Sequence, residues 1–339
     1  MLYSLDGIYD FEGFVKAGAM IRRPLFRPRL LGLAASILVL GALFSDDAAS
    51  GDVPGLGNDI YRVLIEDEPG GDGTGTFSIE TGPGHPAGGG ANILFPGDNA
   101  GNLNGSYVTV RSYTTGSDYV QTRGAPSSGN IVIELDELAS VSPIGNRGYR
   151  TTYDVQRPEK LRIVSEIEVV GTTFDKSRIE LRTKVTNLDS VPLLVAVRYL
   201  LDLSVGGDDG PAFSRSVGGK LNVAEATYPR GFGVVRIESN NSDGTNPRLF
   251  GTATSDAGAG ARRPDLLQFA YWPDAFGAAF DYTTRPRDIA STGGLDDSSL
   301  LYYFGSIEAH AIRLAPTDSL TVSLSLFGDT HRGPPQRNR

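Results

Sequence analysis

The run Leu193–Phe213, LLVAVRYLLDLSVGGDDGPAF, constrains the fold more than any other stretch, because it is apolar on a period of two and then stops at glycine. Leu193, Val195, Val197, Tyr199, Leu201, Leu203 and Val205 share one face, and Leu194, Ala196, Arg198, Leu200, Asp202 and Ser204 share the other. A strand apolar on both faces belongs in the middle of a sheet that is covered on both sides. Charge is costly in such a place unless it is paired or used, which singles out Arg198 and Asp202. They lie about 13 Å apart along one face, a spacing at which two side chains share partners rather than touch. Gly206-Gly207-Asp208-Asp209-Gly210-Pro211 then ends the ladder and gathers carboxylates at the strand's end.

Two further runs precede this strand with the same period. Leu161, Ile163, Ile167 and Val169 face in, as do Ile179, Leu181 and Val185, while Arg162, Glu166, Glu168, Arg178, Glu180, Arg182 and Lys184 face out. Short connections predict a three-strand antiparallel meander whose outer face carries cross-strand charge pairs. Strand-like runs recur after the acidic loop at Lys220–Thr227, Gly233–Glu238, Arg248–Thr254, Leu266–Trp272, Gly277–Tyr282, Leu300–Phe304, Ile307–Leu314 and Ser319–Phe327, and no segment sustains a helical period. The expectation is an all-β fold, one large antiparallel β-sandwich over residues 51–330, supersandwich-like and single-domain, with two abutting sandwiches as the alternative. The 43 glycines fit this count of turns; runs such as Gly82-Pro-Gly-His-Pro-Ala-Gly-Gly-Gly match neither phosphate-loop spacing and read as turns.

Residues 20–50 place four arginines ahead of an uncharged apolar run, Leu30–Ser45, and small residues near Ala48–Ser50. This is the pattern of a secretory signal peptide, too short to span a bilayer comfortably, so contact with a membrane is expected only through this segment if it stays uncleaved. Residues 1–19 read as an upstream extension with Met20 as the start, and residues 331–339 as a disordered tail. The expected location is outside the cytoplasm: periplasm, cell surface or medium. A formal charge of −9 argues against nucleic acid as a partner, and a chain without cysteine has no disulfide, thiol chemistry or cysteine-bound zinc.

Asp202, Asp208 and Asp209, with the Gly206 and Gly207 carbonyls, supply the oxygen ligands a calcium ion takes; the alternative is a polar turn whose aspartates cap backbone N–H groups. Phe269, Tyr271, Trp272, Phe276, Phe280 and Tyr282 cluster, followed by Tyr302, Tyr303 and Phe304. An exposed ring beside polar groups suits stacking on a sugar, and Arg198, Asp202, Trp272 and Tyr302 are the candidate ligand-binding set. His310 is expected on a strand as a structural histidine.

The stretch RIELRTKVTNLDSVPLLVAVRYLLDLSVGGDDGPAF, Arg178–Phe213, resembles a pattern in exported bacterial proteins of unassigned function, in which a VTN strand and turn lead to a VRYLLD strand and a Gly, Asp-rich loop. More loosely, it resembles the large sandwich of galactose mutarotase-like carbohydrate proteins. That resemblance implies a sugar-facing concave sheet. The family's histidine pair and carboxylate have no matching motif among His85, His310 and His331. The expected function is binding of a glycan or cell-envelope component without catalysis. Two alternatives stand beside it: a carbohydrate-active hydrolase, lyase or epimerase using carboxylates on the concave face, and a structural surface protein assembling through its sheet edges.

Overall fold

The computed structural model describes residues 55–328, apart from residues 68, 70–72, 97–102, 104, 123, 125, 215–219, 230–233, 239–247, 253–261 and 292–293. All of them belong to one compact unit, residues 48–339. The expected signal segment, its upstream extension and the polar tail lie outside the described residues.

Two large sheets and one small one make up the fold. The first, which we call the charged sheet, runs edge to edge through Ala212–Ser214, Val234–Glu238, Arg248–Thr252, Ser319–Gly328, Arg178–Asn187, Leu161–Val170, Gly148–Val155 and Ala139–Pro143. The second, the buried sheet, runs through Ala226–Pro229, Leu266–Tyr271, Ser298–Phe304, Leu193–Leu203, Tyr107–Ser112, Ser117–Val120 and Ile131–Glu134, and Ile312–Leu314 also pairs with Leu193–Leu203. Leu56–Gly57, Tyr61–Ile65 and Phe77–Thr81 form the small sheet. Pairing is antiparallel except between Ser117–Val120 and Ile131–Glu134. The molecule is an all-β sandwich, as its sequence predicts.

The central strand has the two environments its alternation requires. Leu193, Val195, Val197, Tyr199, Leu201, Leu203 and Val205 enter the large core between the sheets, meeting Ile163, Leu181 and Val322 of the charged sheet. Ala196 and Leu200, on the opposite face, join a second apolar cluster with Tyr107, Leu301, Phe280 and Tyr303. Each buried aliphatic side chain contributes about 1.5–3 kcal/mol relative to exposure, so covering both faces is what holds the strand in place. Polar bridges cross the main core: the Tyr199 hydroxyl donates to Thr183 Oγ1 at 2.7 Å, and Gln121 Nε2 donates to Ser165 Oγ at 3.0 Å.

The expected three-strand meander is only two-thirds correct. Leu161–Val170 and Arg178–Asn187 pair as foreseen, but the other neighbour of Arg178–Asn187 is Ser319–Gly328, and Leu193–Leu203 belongs to the opposite sheet. The reason lies in the outer faces. Arg178–Asn187 keeps one face for solvent, with Glu166 bridging Arg150 and Arg182, and Glu180 bridging Arg178 and Arg182. Leu193–Leu203 has no face to give to water, so the chain crosses over at residues 188–192. Asn187, buried, shapes that crossing: its Nδ2 donates to Val191 O and Leu314 O, and its Oδ1 accepts the Asp189 N–H.

Three other expectations shift. Gly277–Tyr282 is not a strand; Pro273 and the residues around it form the short helix Trp272–Phe276, and the chain continues irregularly. The strand expected over Lys220–Thr227 is confined to Ala226–Pro229. Within Ile307–Leu314 a 3-10 turn, Glu308–His310, precedes the short strand Ile312–Leu314, so His310 is not on a strand.

Val197→Asp should prevent folding, since it puts an unpaired charge into the inter-sheet core at a cost of several kcal/mol. Glu180→Gln, on the solvated face, should cost less than about 1 kcal/mol. Thermal melts of the two variants check the assignment of faces; equal melting temperatures would overturn it.

Candidate functional site

The second face of the buried sheet gathers the polar side chains that the strand alternation places there. Cross-strand register sets Arg198 opposite Thr109 on one side and Tyr303 on the other, Leu200 opposite Tyr107 and Leu301, and Ala196 opposite Arg111. Arg198 is fully buried. Its Nη1 donates to the carbonyls of Ala278 (2.6 Å) and Phe280 (3.3 Å), and its Nη2 donates to the Tyr107 hydroxyl (2.7 Å). Its charge is therefore held by neutral acceptors, with the Tyr107 ring 5.3 Å from the guanidinium. Burial pushes the Tyr107 hydroxyl above its ordinary range, while Arg198 pulls it back.

Those carbonyls belong to the segment Trp272–Arg287, which lies across this face. The Phe276 carbonyl accepts from Tyr107, Gly277 from Ser127, Ala278 from Arg198, Phe280 from Arg198 and Tyr303, and Tyr282 from Gln268. Ala275, Ala279 and Phe280 fill the apolar gaps between these bonds. At one end Arg111 lies 4.2 Å over the Phe280 ring and forks between two carboxylates, Asp118 (2.6 and 2.8 Å) and Asp281 (2.8 Å to each oxygen). At the other, buried Glu225 accepts from the Tyr282 hydroxyl, from the backbone N–H groups of Arg285 and Tyr271, and from Arg287, which also pairs with Asp274 at 2.6 Å. Burial alone would raise Glu225; its donors outweigh that and hold it below the usual glutamate range.

Of the four ligand-binding candidates, three share this face. Asp202 ends its strand against the Gly105–Ser106 backbone, close enough that a Cβ on Gly105 would come within 2.3 Å of Oδ2, and the Ser106 hydroxyl bonds its N–H. Trp272 reaches the same spot, donating Nε1–H to Gly105 O at 3.2 Å with its ring 4.9 Å from that of Phe276. Trp272 and Phe276 are half-buried and pack at the rim of the second apolar cluster. Tyr302 belongs elsewhere: it pairs with Tyr199 on the inter-sheet face and is buried in the main core. A ring there packs and cannot stack on a ligand.

The acidic loop is a tight turn. Val205 and Asp208 exchange backbone hydrogen bonds across Gly206 (φ 65°) and Gly207 (φ 84°), a pair of left-handed residues that two glycines adopt without strain. Asp208 Oδ1 accepts the Gly210 N–H at 3.2 Å, the capping role that competes with metal ligation. Among the described residues no group of three or more His, Cys, Asp or Glu is arranged to hold a metal ion. The proposed calcium set of Asp202, Asp208 and Asp209 therefore does not converge. Asp209 acts instead on a carboxyl of a neighbouring loop: Asp297 is pushed up to about 7, first by burial and then by Asp209 and Asp296.

Asp265 anchors a second polar group at the break between Ser298–Phe304 and Ile312–Leu314, which follow one another along the same edge of Leu193–Leu203. Its carboxylate accepts from the N–H groups of Gly305 (2.6 Å) and Ser306 (3.0 Å) and from the Ser306 hydroxyl, and it meets His310 Nδ1 at 2.8 Å. Burial works against the ionised form, but these donors hold Asp265 below the usual range. Such an aspartate fixes a histidine's tautomer, and His310 is a third exposed. Arg111, Glu225, Asp265 and Asp297 were missed as isolated charges in loops or strands. Only the pairing of Arg111 with Asp118, on one face of adjacent strands, had a sequence signal in the alternation of SYVTVRS and SDYV.

No protein-family model matches the chain, and neither does any curated protein. Solved structures similar to it include galactose mutarotase-like proteins. A galactose mutarotase related enzyme from Lactobacillus acidophilus is 9% identical, with 83% of this chain and 98% of that one covered and a TM-score of 0.48. A putative aldose 1-epimerase from Escherichia coli K12 is 12% identical over 81% of this chain and 98% of that one, also at 0.48. A galactose mutarotase-like protein from Clostridium acetobutylicum is 11% identical over 81% and 94%, at 0.45. Likeness at this level carries no residue across, and no chemistry is taken from it.

Asp297 gives this region a pH signature. A carboxyl whose folded pKa is near 7 against an ordinary 3.8 holds its proton more tightly when folded, so its contribution is full below pH 4 and fades as pH rises through 7. Asp297→Asn should remove that decline, worth at most about 3 kcal/mol between pH 5 and pH 8, and chemical denaturation at those two pH values measures it.

Proposed function

We propose that this protein is an exported sandwich that binds a glycan or another cell-envelope component without transforming it, and that the contact is made at the Trp272 end of the buried sheet. The observation that carries this reading is the segment Trp272–Arg287 itself. It occupies the donor-rich face with its own carbonyls and places half-buried Trp272 and Phe276 at the rim of that face, beside Gly105 and the end of the central strand. A pair of partly exposed rings beside backbone carbonyls suits the mixed apolar and hydroxyl surface of a sugar. Export rests on the arginine-rich and apolar pattern of residues 20–50.

A glycan array probed with residues 51–339 tests the reading. A hit whose affinity falls at least tenfold in Trp272→Ala, with the melting temperature lowered by only a few degrees, supports it. Absence of any glycan bound above background, or hits indifferent to Trp272, would overturn it.

A carbohydrate-active enzyme is the second reading, favoured by one observation: Asp297 has the raised pKa of a carboxyl that can give up a proton near neutral pH. Reducing-end release from an array hit, lost in Asp297→Asn, would move the protein into that class.

A further inference from the structure

His85 lies in the glycine-rich loop between Gly82 and Gly90, yet it is almost wholly buried. Its ring is caged by Tyr61, with centroids 5.5 Å apart, and by Phe174, edge-on at 4.9 Å and 87°. Nδ1 accepts the Ala87 N–H at 3.0 Å, which fixes the neutral tautomer with its proton on Nε2; Nε2 is buried and has no acceptor among the described residues. The loop is otherwise tied by a few bonds: Gly82 N–H to Ile60 O, Gly84 N–H to Asp59 O, Gly90 N–H to Thr81 O, and the Thr81 hydroxyl to Gly88 O.

An imidazolium cannot keep this arrangement. Both of its nitrogens carry N–H, so Nδ1 would turn a donor toward the Ala87 donor, and Nε2–H would hold a charge among aromatic carbons with no carboxylate among the described residues to meet it. The elements packed on the ring bring few charges. Asp59 and Arg62 flank Tyr61, Asp175 and Lys176 flank Phe174, and Ser319–Gly328 adds none; none of these groups bonds or ion-pairs with the ring. We propose that the loop from Gly82 to Gly90 is an acid-released latch, kept shut by neutral His85 in the cage of Tyr61 and Phe174. Phe174 also lines, with Lys176, Arg178 and Phe327, a surface hollow of about 580 Å³. Release of His85 frees one face of Phe174 and extends that hollow toward Tyr61.

The sign and size follow from linkage. Burial pulls His85 down to about 4 from an ordinary 6.5. Between those values the open loop takes up a proton and the closed loop does not. The opening constant therefore rises roughly tenfold per pH unit on acidification, about 300-fold in all, and levels off below pH 4. In the full chain, proton NMR of the His85 ring should show titration near pH 4. Hydrogen exchange of the Gly82, Gly84 and Gly90 amides, corrected for intrinsic rates, should show the 300-fold rise from pH 6.5 to pH 4, while the amides of Leu181 and Tyr199 report global opening. In His85→Gln, whose side-chain oxygen can still accept the Ala87 N–H, the rise should vanish. A His85 titration near pH 6.5, or an unchanged rise in His85→Gln, would overturn the proposal. If the variant does not fold, the wild-type titration and exchange decide it alone, since a flat loop opening constant across this range has the same meaning.

Discussion

A guanidinium buried at the centre of a sheet has to be surrounded by acceptors, and Arg198 imposes that requirement on the buried sheet. It arises because the strand carrying it has no solvent face to offer. Neither of its flanking strands places a carboxylate beside it: Thr109 and Tyr303 are the cross-strand neighbours. The acceptors come instead from backbone carbonyls that are free because Phe276–Tyr282 is irregular. A strand there would have spent those carbonyls on a ladder, and a longer helix would have turned them inward to its own N–H groups. Pro273 and Gly277, which bound the helix to little more than one turn, are thus tied to the charge on Arg198.

The same economy governs the other buried charges. Asp118 and Asp281 share Arg111, Glu225 takes four donors from Tyr271, Tyr282, Arg285 and Arg287, and Asp265 takes backbone and hydroxyl donors where Ser298–Phe304 breaks off. In each case the donors come from the buried sheet itself or from the segments beside it. The charged sheet satisfies its charges differently, side chain to side chain in water, where each pair adds little. The two sheets use charge for opposite ends: one to fix a segment in place, the other to keep a face soluble.

The period-two reading was most reliable where burial differs sharply between faces. Leu181 and Ile163 inside with Arg182 and Glu166 outside, and Val197 and Tyr199 on one core with Leu200 on the other, all stand as read. Alternation says nothing about which sheet a strand joins, which is why Leu193–Leu203 was placed beside Arg178–Asn187. Tyr302 and Tyr303 had to face opposite ways, but only register with Tyr199 shows that Tyr302 takes the main core. The aspartates of the glycine turn were visible as a cluster. Their use was not, because whether Asp208 caps Gly210 or turns toward a neighbour depends on the turn closing at Val205.

The strand order also dictates when the molecule can be completed. Leu193–Leu203 pairs with Tyr107–Ser112 from far upstream and with Ser298–Phe304 from far downstream, and Arg178–Asn187 waits for Ser319–Gly328, among the last residues described. Contacts this distant in sequence make for slow folding, with apolar edges unpaired until the end. A chain still missing its last strand exposes the inner row Ile179, Leu181 and Val185 along an open ladder. Such an intermediate presents an unpaired strand edge, the kind of surface onto which a neighbouring chain's strand can also add.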